Sequence, residues 1–310
     1  MPLPSDPKAV ELGDSIVDEL FGIYDPNPGI RPTYAKGILL SGKFSPFPIS
    51  RTLSKAPHFK RSSVPVIVRF SSSTGFPNIP DTDPNGNPRG FAIRFVLQDH
   101  PRRLHTDIIA HSVDGFPAST GEEALEFFKA VKNGTMDDYL VSHPKALAFV
   151  RTPKPTPAAF GREKYYGVTA YKFIAEDGRE TYIRYRIVPC AGEAHLDDNA
   201  LKSQPPLFLY HGVEKQFQSG PILFALKAQI AEPGDITNDS TVKWPDDRQE
   251  VTLGSIQLLD IMENQNQEQR RIIFDPIPRV EGIEPSDDPL LDVRAAAYLL
   301  SGRERRGPGN

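Results

Sequence analysis

Near the C-terminus, Arg294 and Tyr298 stand four residues apart in "RAAAY", a spacing that puts a guanidinium and a phenol on one helix face. A phenol ordinarily loses its proton near pH 10. A neighbouring cation and a ferric iron would both favour the phenolate, so this pair has the chemistry of an anionic axial ligand to a haem iron. Taken alone, the spacing also describes an ordinary helix face. At the other end of the chain, Tyr34 sits between Arg31 and Lys36 in "RPTYAKGILLSGKF", just ahead of an apolar run. Arg69 interrupts the apolar run "VPVIVRFS" and falls on the same strand face as Ser71, while His111 lies near the end of "TDIIAHS".

Bulk composition removes several function classes. With 310 residues, 38 % of them hydrophobic, the chain can bury a substantial core. A net charge of −4 argues against a nucleic-acid or anionic-membrane partner. The one cysteine, Cys190, excludes an internal disulfide framework and every multi-cysteine metal site, and fits a reducing compartment. His58, His100, His105, His143, His195 and His211 form no metal-ligand spacing of the H-E-x-x-H kind. The N-terminus lacks the basic-then-apolar pattern of a secretory signal, and "GPGN" matches no retention or peroxisomal signal. No apolar run approaches the roughly 20 residues of a membrane span. A cytoplasmic protein is expected.

Elements must hold these residues in place. Helical periodicity over 8–22 puts Ile16, Val17, Leu20 and Phe21 on one apolar face. Strand patterns at 34–44, 64–71, 90–97 and 106–112 are cut by Pro/Gly/Asn clusters, the longest being "GFPNIPDTDPNGNPRG". In 64–71, alternation puts Val66, Val68 and Phe70 on one face and Ile67, Arg69 and Ser71 on the other. Thr120 and Glu123 have capping-box spacing before a helix expected to stop near Gly134, and a second helix is expected over 136–150. Strands return at 166–174 and 179–188 around the turn "EDGR", then across 206–230 and 251–260. Asp288 and Pro289 start a last helix, about 289–301, with Gly302 as its stop. One α+β domain, 1–310, around an antiparallel sheet or barrel is expected, with an N-terminal helical arm over about 1–30.

The segments "RPTYAKGILLSGKF", "VPVIVRFSSSTG", "NPRGFAIRF", "TDIIAHSVDGFP", "VKWP", "FDPIPRVEGIEPSDDPLLDVRAAAY" and "RERRGPG" occur in that order. Together they resemble the haem catalase superfamily, most closely its short catalase-related peroxidase branch, over roughly residues 20–308. The resemblance implies an antiparallel eight-stranded β-barrel with surrounding helices, holding haem b in a deep pocket. It implies Tyr298 as the proximal iron ligand and Arg294 as the arginine that stabilises its phenolate. It further implies Arg31, Arg69 and Arg305 as partners of the haem propionates, and Phe116 as an aromatic packed over the haem on the substrate side. Fixed cationic forks suit two buried carboxylates. The "WP" element at Trp244 resembles one near which large catalases bind NADPH; most of that site has no match, and no NADPH is expected.

One departure bears on the reaction. The family places its distal histidine, which moves a peroxide proton between oxygens, immediately before "AKG"; here that residue is Tyr34. The second distal polar residue, an asparagine in full catalases, falls at His111, and Ser71 matches a serine that supports the distal histidine. Histidine's pKa suits acid–base cleavage of an O–O bond and tyrosine's does not, so His111 could supply the base; equally, it could be a histidine satisfied by backbone groups. The resemblance therefore implies a haem peroxidase that reduces hydrogen peroxide or an organic hydroperoxide with a small reductant, and that has weak or no catalase turnover. A haem hydroperoxide isomerase of the allene oxide synthase kind and a non-catalytic haem-binding protein are the alternatives. A homo-oligomer is compatible with the resemblance.

Overall fold

The computed structural model describes residues 1–24 and 29–307. Residues 25–28 of the expected N-terminal arm and the final residues of "RERRGPG" lie outside the described residues.

Ten strands form one antiparallel sheet: β1 (Gly37–Pro46), β2 (Val64–Ser71), β3 (Gly90–Gln98), β4 (Leu104–His111), β5 (Tyr165–Tyr166), β6 (Tyr171–Ile174), β7 (Glu180–Pro189), β8 (Ile222–Ile230), β9 (Glu250–Ile261) and β10 (Ile283–Pro285). Their order is β10-β6-β7-β5-β4-β3-β2-β1-β9-β8, and β7 also pairs with β8. That last pairing closes an eight-stranded barrel, β7-β5-β4-β3-β2-β1-β9-β8, leaving β6 and β10 as a flap on β7. Closure removes the unpaired edges that an open sheet would expose. The interior is filled by alternating apolar residues, among them Val66, Val68 and Phe70 of β2, Phe91 and Ile93 of β3, and Phe224 of β8. Each fully buried side chain of this size contributes about 1.5–3 kcal/mol.

Helices cover the outside: α1 (Pro7–Tyr24), α2 (Ser50–Leu53), α3 (Pro57–Lys60), α4 (Gly121–Asn133), α5 (Met136–Ser142), α6 (Pro144–Arg151), α7 (Asp198–Lys202), α8 (Phe208–Ser219), α9 (Gln265–Arg271) and α10 (Leu290–Arg305). Helices α1, α4 and α10 share an apolar cluster that includes Ile16, Leu20, Ala124, Leu290 and Val293. Helix α1 crosses α10 at Gly13, where a Cβ would stand 2.7 Å from the Ala296 Cβ.

Several sequence expectations are corrected. The helix expected over 136–150 is two, α5 and α6, because Pro144 cannot continue the first. The stretch 206–230 is not all strand: α8 fills its first half. Gly302 does not stop α10, which runs to Arg305; Ile273 Cδ1 lies 2.3 Å from where a Gly302 Cβ would be, so this glycine serves close packing. Thr120 Oγ1 accepts from the Glu123 N–H at 3.2 Å as expected, but the Glu123 carboxylate accepts from Ser119. The α4 stop at Gly134, with φ +68, agrees with the sequence.

Candidate functional site

The site lies on the outer face of β2, β3 and β4. Cross-strand register aligns Ser71 with Gly90 and Gly90 with His111. Two residues away, and so on the same face, Arg69, Ala92 and Ile109 are aligned in the same way. The intervening residues Phe70, Phe91 and Ala110 point into the barrel. A wall with a polar end and an apolar middle results.

Tyr34 closes the polar end. Its ring atoms Cδ1 and Cε1 lie 3.0 Å from the point where a Gly90 Cβ would stand, and Ser71 Oγ is 2.4 Å from the same point. The ring thus rests on glycine, between Ser71 and His111. Tyr34 has φ +53, a left-handed conformation that an aromatic residue adopts at a penalty of about 1–2 kcal/mol. Local bonds impose it: the Tyr34 N–H donates to Ser73 O, the Ala35 N–H to Thr74 O at 2.9 Å, and Thr33 Oγ1 to Ser73 O at 2.6 Å. Burial, then the neighbouring Tyr298, raises the Tyr34 pKa above the usual phenol value, while Arg294 opposes the shift. The phenol is therefore neutral. Ser71 makes no hydrogen bond to Tyr34; their relation is packing.

His111 differs from a histidine satisfied by backbone groups. Both ring nitrogens are buried and neither has a hydrogen-bond partner among the described residues. Burial, reinforced by Arg294 and Lys154, pushes its pKa down to about 3, so the ring is neutral with an unengaged lone pair.

Behind this wall lies a buried polar network that sequence reasoning missed. Lys36 Nζ pairs with Asp81 at 2.6 Å and also donates to Ile79 O; the second Asp81 oxygen accepts the Leu209 N–H. Arg89 donates to Ser72 Oγ at 2.6 Å and to Asp81 O at 2.7 Å, and its N–H donates to Ser112 Oγ. Lys36, Ser72, Arg89 and Ser112 lie one or two residues from Tyr34, Ser71, Gly90 and His111. One network therefore clamps the backbone at all four wall positions.

Opposite the wall runs α10. Nearly every side of it is buried, while Arg294 and Tyr298 keep partial exposure. Asp288 Oδ1 accepts the Leu290 N–H at 2.9 Å, which sets the helix start that the sequence signalled. Arg294 Nε and Nη2 both donate to the Tyr298 hydroxyl oxygen at 3.3 Å, and Nη1 donates to Thr169 Oγ1 at 2.9 Å. Burial alone would lower the Arg294 pKa; Tyr298, Tyr171 and Asp288 outweigh it and hold the guanidinium firmly charged.

Three more guanidinium groups meet at the apolar side of the wall. Arg31 Nη2 and Arg305 Nη2 both donate to Ile272 O, at 2.9 and 3.4 Å. Arg69 donates to Ala35 O and Gln269 Oε1, and its path requires Gly37, whose Cβ would stand 2.2 Å from Arg69 Nη2. Arg94 and Arg186 pair with Asp107 and Asp114, whereas none of these three forms a salt bridge among the described residues. Arg305 Nε is buried without a partner. Burial, then the other arginines, lowers Arg31 well below its usual value. Burial takes Arg69 and Arg305 down to about 10, with Arg69 adding to the shift at Arg305. Arg305, expected in a basic tail, is buried in the last turn of α10.

Phe116 is partly buried and packs against the apolar cluster of α1, α4 and α10. Trp244 is buried, donates to Ile236 O and stacks under Arg184. Among the described residues, no cluster of three or more His, Cys, Asp or Glu is placed to hold a metal ion. The residues present do fit a haem: three uncompensated cations match two carboxylates, and a tyrosine oxygen with two N–H donors matches an anionic axial ligand.

A closed barrel carrying a tyrosine helix across from its outer wall defines the fold class, and the comparisons give the family. The catalase family model matches residues 29–310, and the chain belongs to the catalase family. It is 33 % identical over 302 residues to a catalase-related peroxidase of Mycolicibacterium paratuberculosis, covering 95 % of each chain. It is 30 % identical to a catalase-related peroxidase of Synechococcus elongatus, covering 94 % of this chain and 88 % of that one. The structure of a bacterial catalase shares the fold with a TM-score of 0.79 at 23 % identity, over 91 % of this chain and 58 % of that one. Catalase A from Saccharomyces cerevisiae does so with the same TM-score at 21 % identity, over 91 % and 62 %.

Proposed function

We propose that this protein is a haem b-dependent peroxidase of the cytoplasm, one catalase-like domain spanning 1–310, that reduces hydrogen peroxide or organic hydroperoxides at the expense of a small-molecule reductant. The two relatives named catalase-related peroxidase support the reaction class. The observation that carries the haem assignment is the convergence of Arg31, Arg69 and Arg305 without a carboxylate, across from the Arg294–Tyr298 pair.

In this reading Arg31, Arg69 and Arg305 would hold the two propionates of a bound haem, and Tyr298 Oη would bind its iron. Two N–H donors from Arg294 hold that oxygen in place, and its firmly charged guanidinium favours an oxyanion there. When bound, the haem supplies the two-electron chemistry of peroxide O–O cleavage. The protein must move one proton from the inner to the outer oxygen. His111 does this: its neutral imidazole, with both ring nitrogens unengaged, accepts the proton and returns it to the outer oxygen. During this proton transfer Tyr34 keeps its own proton, donates to the peroxide, and excludes water from the polar end of the wall. Ser71 and the Lys36–Asp81 network hold Tyr34 and His111 in register.

An oxygen electrode and a chromogenic donor test this on the haem-loaded protein. Donor-dependent reduction of cumene hydroperoxide with little oxygen release from hydrogen peroxide is expected. Rapid oxygen release would make it a catalase, and donor-independent rearrangement of a lipid hydroperoxide would make it an isomerase.

A further inference from the structure

A peroxidase needs a place for its reductant, and a cleft outside the wall has the features of one. It has a volume of about 590 Å³, within the usual range for small-molecule sites, and lies where the ends of α1 and α4 meet the loop after β2. Tyr24 and Phe76 meet edge-to-face there at 5.1 Å, and Phe76 stays 50 % exposed, an aromatic surface with no covering among the described residues. Ile23 and Val131 add apolar lining.

The polar groups of the cleft define what would bind. Among the described residues Asp83 is the one charged residue in the lining, one oxygen of its carboxylate accepts the Asn85 N–H, and its charge disfavours an anion. Ser73 Oγ donates to the Asn85 and Asn87 carbonyls, which commits its proton and leaves its lone pairs to accept an O–H. A neutral aromatic ring bearing a hydroxyl matches an exposed aromatic face beside an accepting oxygen.

The cleft is also wired to the wall. Ser73 O, on the cleft's floor, accepts both the Tyr34 N–H and the Thr33 hydroxyl. The Tyr24 ring lies 2.5 Å from where a Gly75 Cβ would stand, and Pro32 O is equally near that point. Pro32 is two residues before Tyr34, and Ser73 O and Thr74 O accept the Tyr34 and Ala35 N–H groups, so the Tyr24 ring packs on the loop that holds Tyr34. Packed and hydrogen-bonded residues thus join the Tyr24 ring to the segment that carries Tyr34.

We propose that this cleft binds a small neutral phenol as the one-electron reductant, and that Tyr24 and Tyr34 carry its electrons inward. The inference rests on the peroxidase reading above. Each turnover takes one hydroperoxide and two phenols to one alcohol, one water and two phenoxyl radicals: the O–O bond breaks, and each phenol gives up one electron and its hydroxyl proton. Tyr34 loses an electron toward the haem side and its proton to His111, the unengaged base on the same wall. Tyr24 restores the electron while His111 returns the proton to Tyr34. Tyr24 loses its own proton to the cleft and takes back an electron and a proton from the phenol. The proton released in the cleft balances the one taken up as the peroxide oxygens leave as alcohol and water. This gives the distal tyrosine a task that a histidine in its place could not perform.

The test uses haem-loaded protein. Peroxide is added without donor in the presence of a nitroso spin trap, and adducts are mapped by peptide mass spectrometry. An adduct on Tyr24 that disappears in Tyr34→Phe is expected. Separately, kcat/KM is measured for 4-methoxyphenol and for ferrocyanide, an anion that the cleft does not suit. In Phe76→Ala the phenol-to-ferrocyanide ratio is expected to fall about tenfold, the loss of one aromatic contact. A Tyr24 free of adduct, an adduct that survives Tyr34→Phe, or an unchanged ratio overturns the proposal. Failure of both donors in wild type, with the haem band present, would instead overturn the peroxidase reading.

Discussion

The Tyr34 ring rests on Gly90: two of its carbons lie 3.0 Å from the point where any other residue would place its Cβ. Ser71 Oγ is nearer still to that point, at 2.4 Å. Gly90→Ala must therefore displace a hydroxyl and an aromatic ring together. A loss of about 1–3 kcal/mol is expected from overpacking, measured by urea unfolding. Ser71→Ala in the same chain removes the closer clash and should recover part of that loss. Additive losses would contradict the packing described here.

Arg69, Arg31 and Arg305 repel one another where no carboxylate offsets them. Arg69→Met should make the unloaded protein more stable, by about 1 kcal/mol or more, because a buried unpaired charge is replaced by an apolar chain. Haem affinity should move the other way, falling on the order of tenfold or more with the loss of a charge-assisted contact. Thermal melts of unloaded protein and haem titrations measure the two. A fall in both would make Arg69 a structural residue.

Tyr34→His restores a titratable base to the end of the wall. Histidine tolerates the left-handed backbone better than most residues, so the φ of +53 need not change. Oxygen release from hydrogen peroxide is expected to rise about 100-fold or more, read with an oxygen electrode. No gain would mean that something other than Tyr34 suppresses catalase turnover.

Acid should unfold the protein early. Burial pushes His58 and His111 down to about 3, whereas unfolded histidine titrates near 6.5. Between those values the unfolded chain binds more protons than the folded one, so stability rises with pH there. Their contribution is complete above about pH 6.5 and is lost as pH falls toward 3. His58 stacks on Phe95 at 4.8 Å, so His58→Phe keeps the stack and removes one titration. Melting temperatures from pH 7 to 4 should fall less steeply in that variant than in wild type.

The legible part of this molecule was its local order. Alternation in "VPVIVRFS" put Phe70 on one face and Arg69 and Ser71 on the other, and the structure agrees, with Phe70 in the barrel core, because a period of two leaves no other arrangement. Arg294 and Tyr298 met as the helical spacing required. What the sequence hid depends on distant segments coming together. The convergence of Arg31 and Arg305 on Ile272 O joins parts of the chain 241 and 33 residues apart, which no local pattern encodes. Arg89 and Asp81 sit in a stretch that read only as a turn-rich connection between strands, yet both are fully buried behind the wall. Helix α8 was read as strand because its apolar residues are short-range neighbours of a true strand, β8.

The most direct test of the account is the rate at which the haem band changes on mixing with cumene hydroperoxide, followed by stopped flow in His111→Gln and in Tyr34→Phe. If His111 moves the proton, His111→Gln should slow the change by about 100-fold or more while Tyr34→Phe stays within about fivefold of wild type. The reverse order, with Tyr34→Phe crippled and His111→Gln near wild type, would contradict it.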